Sequence, residues 1–249
     1  MWNKALVTGA SSGIGLSIVQ ELGRRGVSVV LVARDVARLQ DIADAHPVEA
    51  EVLSADLTDT GQLRSVEERI EVGDIDLVVN NAGFGLNGMF VDHDRNAETD
   101  MVLVNVLALH RLSHAAAVTM RANGNGTILN VASVAAYTSM ARSSTYSATK
   151  AFVVSFTNAL ASELKGTGVT ATSLSPGLTR TEFHDRGDYT IDEFPDFAWQ
   201  TSDEVARAGL DAAAKGDRRR IPGAINKAIV GAVKVLPEPL VRVVGDRFF

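Results

Sequence analysis

The sequence lacks cysteine altogether, holds no low-complexity tract, and has fewer basic than acidic residues. Without cysteine, disulfide bonds and thiol chemistry are excluded. The formal net charge of −6 argues against nucleic acid as the main partner, because binding a phosphate backbone needs a basic face. We therefore expect no nucleic-acid partner.

The sequence also lacks long apolar runs and an N-terminal segment that resembles a signal peptide. No charged segment followed by an apolar core opens the chain, and no apolar run approaches the roughly 18 residues of a membrane span. We therefore expect neither a secretory signal nor a transmembrane helix. The absence of cysteine is compatible with a reducing compartment, and together these features predict a cytoplasmic location.

Short apolar runs alternate with longer segments of helical periodicity along most of the 249 residues. Runs such as "VSVVLVAR" (27–34) and "IDLVVN" (75–80) are continuously apolar, which is typical of strands covered on both faces. Helices between such strands indicate a parallel, doubly wound α/β sheet of the Rossmann-like kind. With no linker and no internal repeat, we predict a single domain over residues 1–249.

Two segments depart from this alternation. Residues 179–201 form a long stretch that holds Phe183, Phe194, Phe197 and Trp199. We predict a variable substrate loop there and, together with Met140, an apolar pocket. Residues 221–249 are apolar nearly all round a predicted helix. This extension could cap the pocket, pack on another subunit or lie on a membrane surface; packing is favoured over membrane contact.

The stretch "TGASSGIG" (8–15) places glycines at the end of the first predicted strand. A strand, a glycine-rich turn and a helix present backbone N–H groups at a helix N-terminus, which is a geometry that binds phosphate. The spacing Gly9, Gly13, Gly15 differs from G-x-G-x-x-G, and no lysine follows as in G-x-x-x-x-G-K-[ST]. An ATP or GTP site is therefore disfavoured.

Three further motifs follow in a fixed order: "NNAG" (80–83), Tyr146-x-x-x-Lys150 and "SPG" (175–177). Each is common alone, but the ordered set is specific. Over about residues 4–181 the sequence resembles the short-chain dehydrogenase/reductase family, in its branch of about 250 residues. The resemblance is weak after residue 181.

Tyr146 and Lys150 are four residues apart on a predicted helix, so they share one face. A tyrosine is a poor base at neutral pH, and a nearby ammonium favours its phenolate. Ser133 ends the predicted strand "GTILNVAS", where a hydroxyl can donate to a substrate carbonyl. Asn105 is a polar residue within an apolar helix, and its ordinary role would be to bind backbone in the core.

The resemblance implies more for these four residues, because Asn105, Ser133, Tyr146 and Lys150 match the family's catalytic tetrad. It implies that Tyr146 is the general acid/base and that Ser133 polarises the carbonyl. Lys150 would hold the nicotinamide ribose and tune Tyr146. Asn105 would support a water that relays protons to Lys150.

The same resemblance implies a nicotinamide cofactor site that runs along the glycine-rich turn and the strand ends. In it, Thr179 would bind the carboxamide and Asp56 the adenine, although Asp56 could instead be a strand-end turn residue. The cofactor contacts implied by the resemblance are Gly9, Ser11, Ser12, Gly13, Ile14, Gly15, Arg34, Asp56, Leu57, Asn81, Ala82, Gly83, Tyr146, Lys150, Pro176, Gly177 and Thr179.

The end of the second strand, "VVLVARD", bears on NADP against NAD. If Asp35 binds the ribose hydroxyls, the cofactor is NAD. If the strand ends at Ala33, the acidic position is vacant, Arg34 can bind a 2′-phosphate and Asp35 caps the next helix. By the resemblance Ala33 occupies the acidic position, so the sequence favours NADP.

The sequence is compatible with two functions. One is an NADP-dependent enzyme that interconverts a ketone or aldehyde and an alcohol on an apolar small molecule; the other is a non-catalytic dinucleotide-binding sensor. Ser133, Tyr146 and Lys150 favour the enzyme, because a sensor does not need them together.

His110 and His114 have a metal-compatible spacing but no evident third ligand, so we expect no metal site. Apolar helices around Asn105 and Tyr146 predict a homo-oligomer, a dimer or tetramer.

Overall fold

The computed structural model describes residues 2–138, 140–181 and 196–235; for residues 234 and 235 it describes the backbone only. Seven strands in these residues form the main sheet and two short ones form a separate pair. The strands are Lys4–Thr8 (β1), Ser28–Ala33 (β2), Ala50–Ser54 (β3), Leu77–Asn80 (β4), Gly126–Val131 (β5), Val169–Leu174 (β6), Thr179–Arg180 (β7), Gln200–Thr201 (β8) and Arg219–Arg220 (β9).

The main sheet has the strand order β3-β2-β1-β4-β5-β6-β9, and every neighbouring pair in it is parallel. This confirms the doubly wound, Rossmann-like α/β class predicted from the continuous apolar runs. The strand order reverses between β1 and β4, and in open parallel sheets a crevice for ligands lies at the carboxyl ends of the strands beside such a reversal.

Helices connect the strands and cover both faces of the sheet. They are Gly13–Arg24 (α1), Val36–Asp44 (α2), Thr60–Glu71 (α3), Arg95–Val102 (α4), Leu109–Asn123 (α5), Ser144–Glu163 (α6), Ser202–Ala214 (α7) and Ala224–Val235 (α8). A π-helical stretch, Leu103–Ala108, joins α4 to α5. Short 3₁₀ turns occupy Phe90–Asp92, Val134–Tyr137 and Asp196–Ala198.

Two apolar clusters, one on each face of the sheet, explain why the strands read as continuous apolar runs. In β2, Val29 and Leu31 belong to one cluster while Val30 and Val32 belong to the other. All four are essentially inaccessible to solvent. Alternate residues of a strand point to opposite faces, so a strand between two helical layers needs apolar residues throughout.

The stretch Arg95–Asn123 has 29 residues and contains an 18-residue window with a mean hydropathy of 1.4, so it passes as a membrane span by length and composition alone. A core helix of a folded domain can meet the same criterion. Leu112, Ala116 and Met120 on its inner face are buried in the cluster against the sheet. Their packing accounts for part of its apolar character.

The sequence did not predict α7, although Thr201 and Glu204 form a capping box at its start. The predicted substrate loop, 179–201, is described only at its ends, where β7 and β8 pair in parallel. Of the apolar extension, 221–249, the described part contains α8. Val230 of α8 is buried against Val134 and Ile221, which fits packing on this chain.

Candidate functional site

A cleft of about 1040 Å³ lies at the carboxyl ends of the central strands. It matches the crevice expected at the strand-order reversal. All the predicted catalytic and cofactor residues line it except Gly15 and Asn105. Those lining it are Gly9, Ser11, Ser12, Gly13, Ile14, Arg34, Asp56, Leu57, Asn81, Ala82, Gly83, Ser133, Tyr146, Lys150, Pro176, Gly177 and Thr179.

The glycine-rich turn brings the start of α1 to the cleft. Gly9 and Gly13 have φ values of +64° and +55°, a region that favours glycine. A side chain at residue 15 would collide with the carbonyl oxygen of Gly9, which explains a glycine that does not itself line the cleft. Ser12, the N-cap of α1, makes no side-chain cap bond, and the first turn holds no acidic residue. This cradle fits a phosphate group.

Thr8 ties the ends of β1 and β4 together beside this turn. Its Oγ1 accepts the backbone N–H groups of Asn81 and Ala82, each at 3.0 Å. The Nδ2 atom of Asn81 donates to the carbonyl oxygen of Thr8 at 3.0 Å and to that of Gly9 at 3.3 Å. These bonds fix the carboxyl ends of β1 and β4, the two strands between which the strand order reverses and beside which the crevice lies.

The end of β2 bears on the two alternatives for Arg34 and Asp35 that the sequence leaves open. The strand ends at Ala33, and the Asp35 carboxylate accepts the N–H of Arg38 at 3.0 Å as the N-cap of α2. The side chain of Arg34 is 75% exposed, and its Nη1 lies 3.9 Å from Oδ2 of Asp56. The Asp35 carboxylate is thus engaged in capping, while Arg34 and Arg38 both line the cleft.

Asp56 is held in a turn after β3. Its Oδ1 accepts the backbone N–H of Thr58 at 3.0 Å and the Thr58 hydroxyl at 2.8 Å. These bonds, the backbone one first, hold the pKa of Asp56 below its usual range. The turn role weighed from the sequence is therefore present, and Oδ2 is the carboxylate oxygen that faces Arg34.

Lys150 lies at the bottom of the cleft. Its Nζ donates to the carbonyl oxygen of Val131 at 3.0 Å and lies 5.8 Å from the centre of the Tyr146 ring. Burial lowers the pKa of Lys150 to about 8. At pH about 7 the group is therefore still mostly an ammonium, close to the ring whose phenolate it would favour.

Asn105 lies in the π-helical stretch, a type of irregularity frequent at functional sites. Its Nδ2 donates to the carbonyl oxygen of Phe84 at 2.8 Å and to Oγ1 of Thr149 at 3.1 Å. Its Oδ1 accepts the N–H of Phe84 at 3.1 Å. The side chain therefore joins the segment after β4 to α6, the ordinary role weighed from the sequence. Its part in a proton relay stays a prediction.

Ser133 lies two residues beyond the end of β5 and caps the Val134–Tyr137 turn. Its Oγ accepts the N–H of Ala135 at 3.1 Å, which leaves its hydroxyl hydrogen for another acceptor. The N–H of Val134 donates to the carbonyl oxygen of Pro176 at 2.9 Å. The segments after β5 and β6 therefore line one wall of the cleft together.

The apolar wall differs from the predicted one. Met140 lines the cleft, as do Phe84 and Leu178, which the sequence did not single out. Phe197 is 74% exposed, and Trp199 lies against the Arg180 guanidinium at 5.5 Å. Neither lines the cleft, so their assignment to the pocket is wrong. The other two predicted aromatics, Phe183 and Phe194, lie outside the described residues.

The sequence also missed two arginines of the cleft, Arg38 and Arg142. Arg38 is four residues after Arg34, and the cap at Asp35 places it in the first turn of α2, so helical spacing could have found it. Nothing in the sequence marks Arg142. Within the described ranges no group of three or more His, Cys, Asp or Glu side chains is placed to hold a metal.

Comparison with protein families matches residues 3–189 to the short chain dehydrogenase model. Among curated relatives, an uncharacterized oxidoreductase of Staphylococcus epidermidis is 36% identical over 187 residues, 74% of this chain and 81% of the relative. An uncharacterized oxidoreductase of Staphylococcus saprophyticus is 38% identical over 183 residues, 71% of this chain and 78% of the relative.

Among solved structures, a short-chain dehydrogenase from Sphingobium yanoikuyae in complex with NADPH has a TM-score of 0.84 at 33% identity. The match covers 95% of this chain and 97% of that one. A bulky-bulky ketone specific alcohol dehydrogenase from Comamonas testosteroni has a TM-score of 0.80 at 30% identity, covering 95% of both chains.

Proposed function

The chain belongs to the short-chain dehydrogenase/reductase family and is an oxidoreductase. On this premise we propose that it interconverts a ketone or aldehyde and an alcohol on a largely apolar small molecule, with NADP as cofactor. The observation that carries the proposal is one cleft lined by Ser133, Tyr146 and Lys150 together with the glycine-rich turn.

The proposed cofactor site extends from the phosphate cradle at α1 to the Pro176–Thr179 segment. When bound, the reduced nicotinamide supplies the hydride that a carbonyl carbon accepts. The cradle would hold the pyrophosphate, and Arg34 would hold the 2′-phosphate. Thr179, whose Oγ1 donates to the carbonyl oxygen of Gly177 at 2.9 Å, would lie beside the carboxamide.

In the direction of reduction, Tyr146 donates its hydroxyl proton to the carbonyl oxygen of the substrate, and Ser133 donates a hydrogen bond to that oxygen as negative charge develops. The Lys150 ammonium stabilises the phenolate that Tyr146 becomes. Asn105 acts as a positioning residue that holds α6 against the segment after β4. Reprotonation of Tyr146 from solvent completes the cycle.

Arg34→Asp is expected to weaken NADPH binding by about one to two decades, because a charge-assisted pair is lost and the new carboxylate repels the 2′-phosphate. NADH binding should change little, because NADH lacks that phosphate. Fluorescence titration with each cofactor measures the ratio of the NADPH and NADH dissociation constants.

Arg64→Asp is the matched control for this change, because Arg64 is an exposed arginine on α3 that pairs with carboxylates and does not line the cleft. Equal losses for NADPH and NADH, or none for either, would remove Arg34 as the selector.

We further propose one domain and a homo-oligomer, while the cytoplasmic location stays a prediction. Support for the oligomer comes from exposed apolar side chains on α4–α5 and on α6: Val102, Leu107, Val118 and Phe152. Apolar patches on helices mark interaction surfaces. We expect light scattering at micromolar concentration to give the mass of a dimer or tetramer, and a monomer would contradict the proposal.

Consumption of NADPH with a panel of ketones tests the function as a whole. Turnover that saturates with ketone concentration is expected. A protein that binds NADPH tightly but reduces no ketone and oxidises no alcohol would instead fit the non-catalytic sensor.

A further inference from the structure

Arg142 lies in the cleft four residues before Tyr146, in the loop that leads into α6. Its φ of +66° is positive, and no other non-glycine residue among those described has a positive φ. A side chain is disfavoured in this conformation, and such strain persists only where the surroundings hold it. The position of Arg142 is therefore imposed by its neighbours.

Those neighbours form a brace from α4 to the rim of the cleft. The Arg142 carbonyl accepts the N–H of Gly88 at 2.9 Å. Gly88 has a φ of +146°, and a Cβ there would lie 2.7 Å from Nε2 of His93. His93 hydrogen-bonds the backbone of Asn87, and its Nδ1 lies 2.6 Å from Oε1 of the largely buried Glu98. The segment after β4 is thereby fixed against Arg142.

The Arg142 guanidinium has no hydrogen-bond or ion-pair partner among the described residues. Three carboxylates line the same cleft. Asp35 and Asp56 follow β2 and β3, which β1 and β4 separate from β5. The third, Asp100, forms no ion pair with Arg142. Arg142, an exposed residue of the cleft lining, therefore brings to the cleft a positive charge without an ion-pair partner, on a backbone fixed by its neighbours.

Apolar side chains make up part of the cleft lining. They include Phe84, Val134, Met140 and Leu178. Apolar pockets with a few placed polar groups orient a ligand through those groups. An arginine in such a wall favours a carboxylate, because its planar donors match the two oxygens.

We propose that the substrate is an oxo- or hydroxy-carboxylic acid with an apolar body, and that Arg142 binds its carboxylate. This rests on the proposed carbonyl–alcohol function and narrows its substrate class. Arg142 is then a specificity-determining residue: it attracts the acid before and during the reaction alike, so it acts on KM more than on kcat.

The test compares acids with their methyl esters, which differ in charge and little in shape. Benzoylformate and benzoylpropionate set the carboxylate at two distances from the carbonyl. For at least one pair, we expect the parent to use the acid with about 10- to 100-fold higher kcat/KM than the ester. Added salt should shrink this preference, because it screens the charge.

Arg142→Asn removes the charge while keeping a residue that tolerates a positive φ. We expect it to abolish the preference for the acid through a higher KM, to leave the ester unaffected, and to keep the thermal midpoint of the parent. Arg121→Asn, on the exposed last turn of α5 outside the cleft, should keep the preference.

A binding assay separates the two proposals. Isothermal calorimetry in the presence of NADP⁺, the oxidised cofactor, measures the binding of the same acids and esters without turnover, because NADP⁺ has no hydride to transfer to a ketone. Acids that bind the parent better than their esters, and lose this advantage in Arg142→Asn, support the role of Arg142 even if no ketone is reduced; that result would sink only the proposed function. Acids and esters bound and used alike, or weakened alike by Arg142→Asn, overturn the role of Arg142.

Discussion

Tyr146→Phe is expected to lower turnover by at least about two decades while NADPH binds with near-unchanged affinity. The change removes one oxygen and keeps the ring, so α6 should still pack. The lost hydroxyl is the proposed proton donor, and general acid catalysis contributes roughly 10²–10⁴-fold. Steady-state kinetics and a cofactor titration on the same preparation measure both quantities.

Tyr137→Phe provides the matched control. The Tyr137 hydroxyl lies 3.4 Å from Oγ of Ser175, and the residue does not line the cleft. The Tyr137→Phe variant loses the same hydroxyl oxygen as Tyr146→Phe. Any general effect of removing a tyrosine hydroxyl should therefore appear in this control as well. Parent-like turnover in Tyr146→Phe would refute the mechanism, and loss of NADPH binding would show that Tyr146 is structural.

Lys150→Met is expected to lower both NADPH affinity and turnover, because one ammonium serves the cofactor and Tyr146. The side chain keeps its length but loses its charge. Loss of a charge-assisted contact predicts about one to two decades in NADPH affinity. Turnover should fall by at least about two decades, since Tyr146 also loses the charge that favours its phenolate.

The pH dependence of stability adds a readout that needs no substrate. Burial lowers the pKa of Lys150 from its ordinary 10.5 to about 8, so between these values the unfolded chain binds a proton that the folded protein does not. The contribution of Lys150 to the free energy of unfolding therefore rises with pH across this window. Relative to Lys150→Met, the parent should gain up to roughly 3 kcal/mol from pH about 7 to about 10.5.

Urea unfolding of the cofactor-free parent and the variant at several pH values measures this difference. Lys165→Met, which removes an exposed lysine, should show no such pH-dependent gap. A gap between parent and Lys150→Met that stays constant with pH would mean that Lys150 is not held as a costly buried charge.

The sequence was sufficient to predict the sheet and the cleft because both depend on local rules. Continuous apolar strands require cover on both faces, and "TGASSGIG" needs glycine where φ is positive or backbone approaches closely. The end of β2 at Ala33 and the cap at Asp35 follow from the same kind of local chemistry. The family resemblance assigned roles to the side chains at these places.

The parts that the sequence could not predict depend on contacts between distant segments. Arg142 becomes part of the cleft through a bond from Gly88, more than fifty residues earlier in the chain. The side-chain bonds of Asn105 to Phe84 and Thr149 likewise join segments that no spacing rule connects. Phe197 and Trp199 were assigned to the pocket because aromatic residues favour apolar pockets, but the Phe197 side chain is exposed and that of Trp199 lies against Arg180.

Deuterium transfer tests the central claim most directly. NADPH labelled at one face of the nicotinamide carbon that gives the hydride is incubated with the protein and the ketone panel, and the alcohol products are analysed by mass spectrometry. We predict one deuterium in the product from only one of the two labelled forms, and almost none with Tyr146→Phe. NADPH that binds the parent but delivers deuterium to no product would contradict the account.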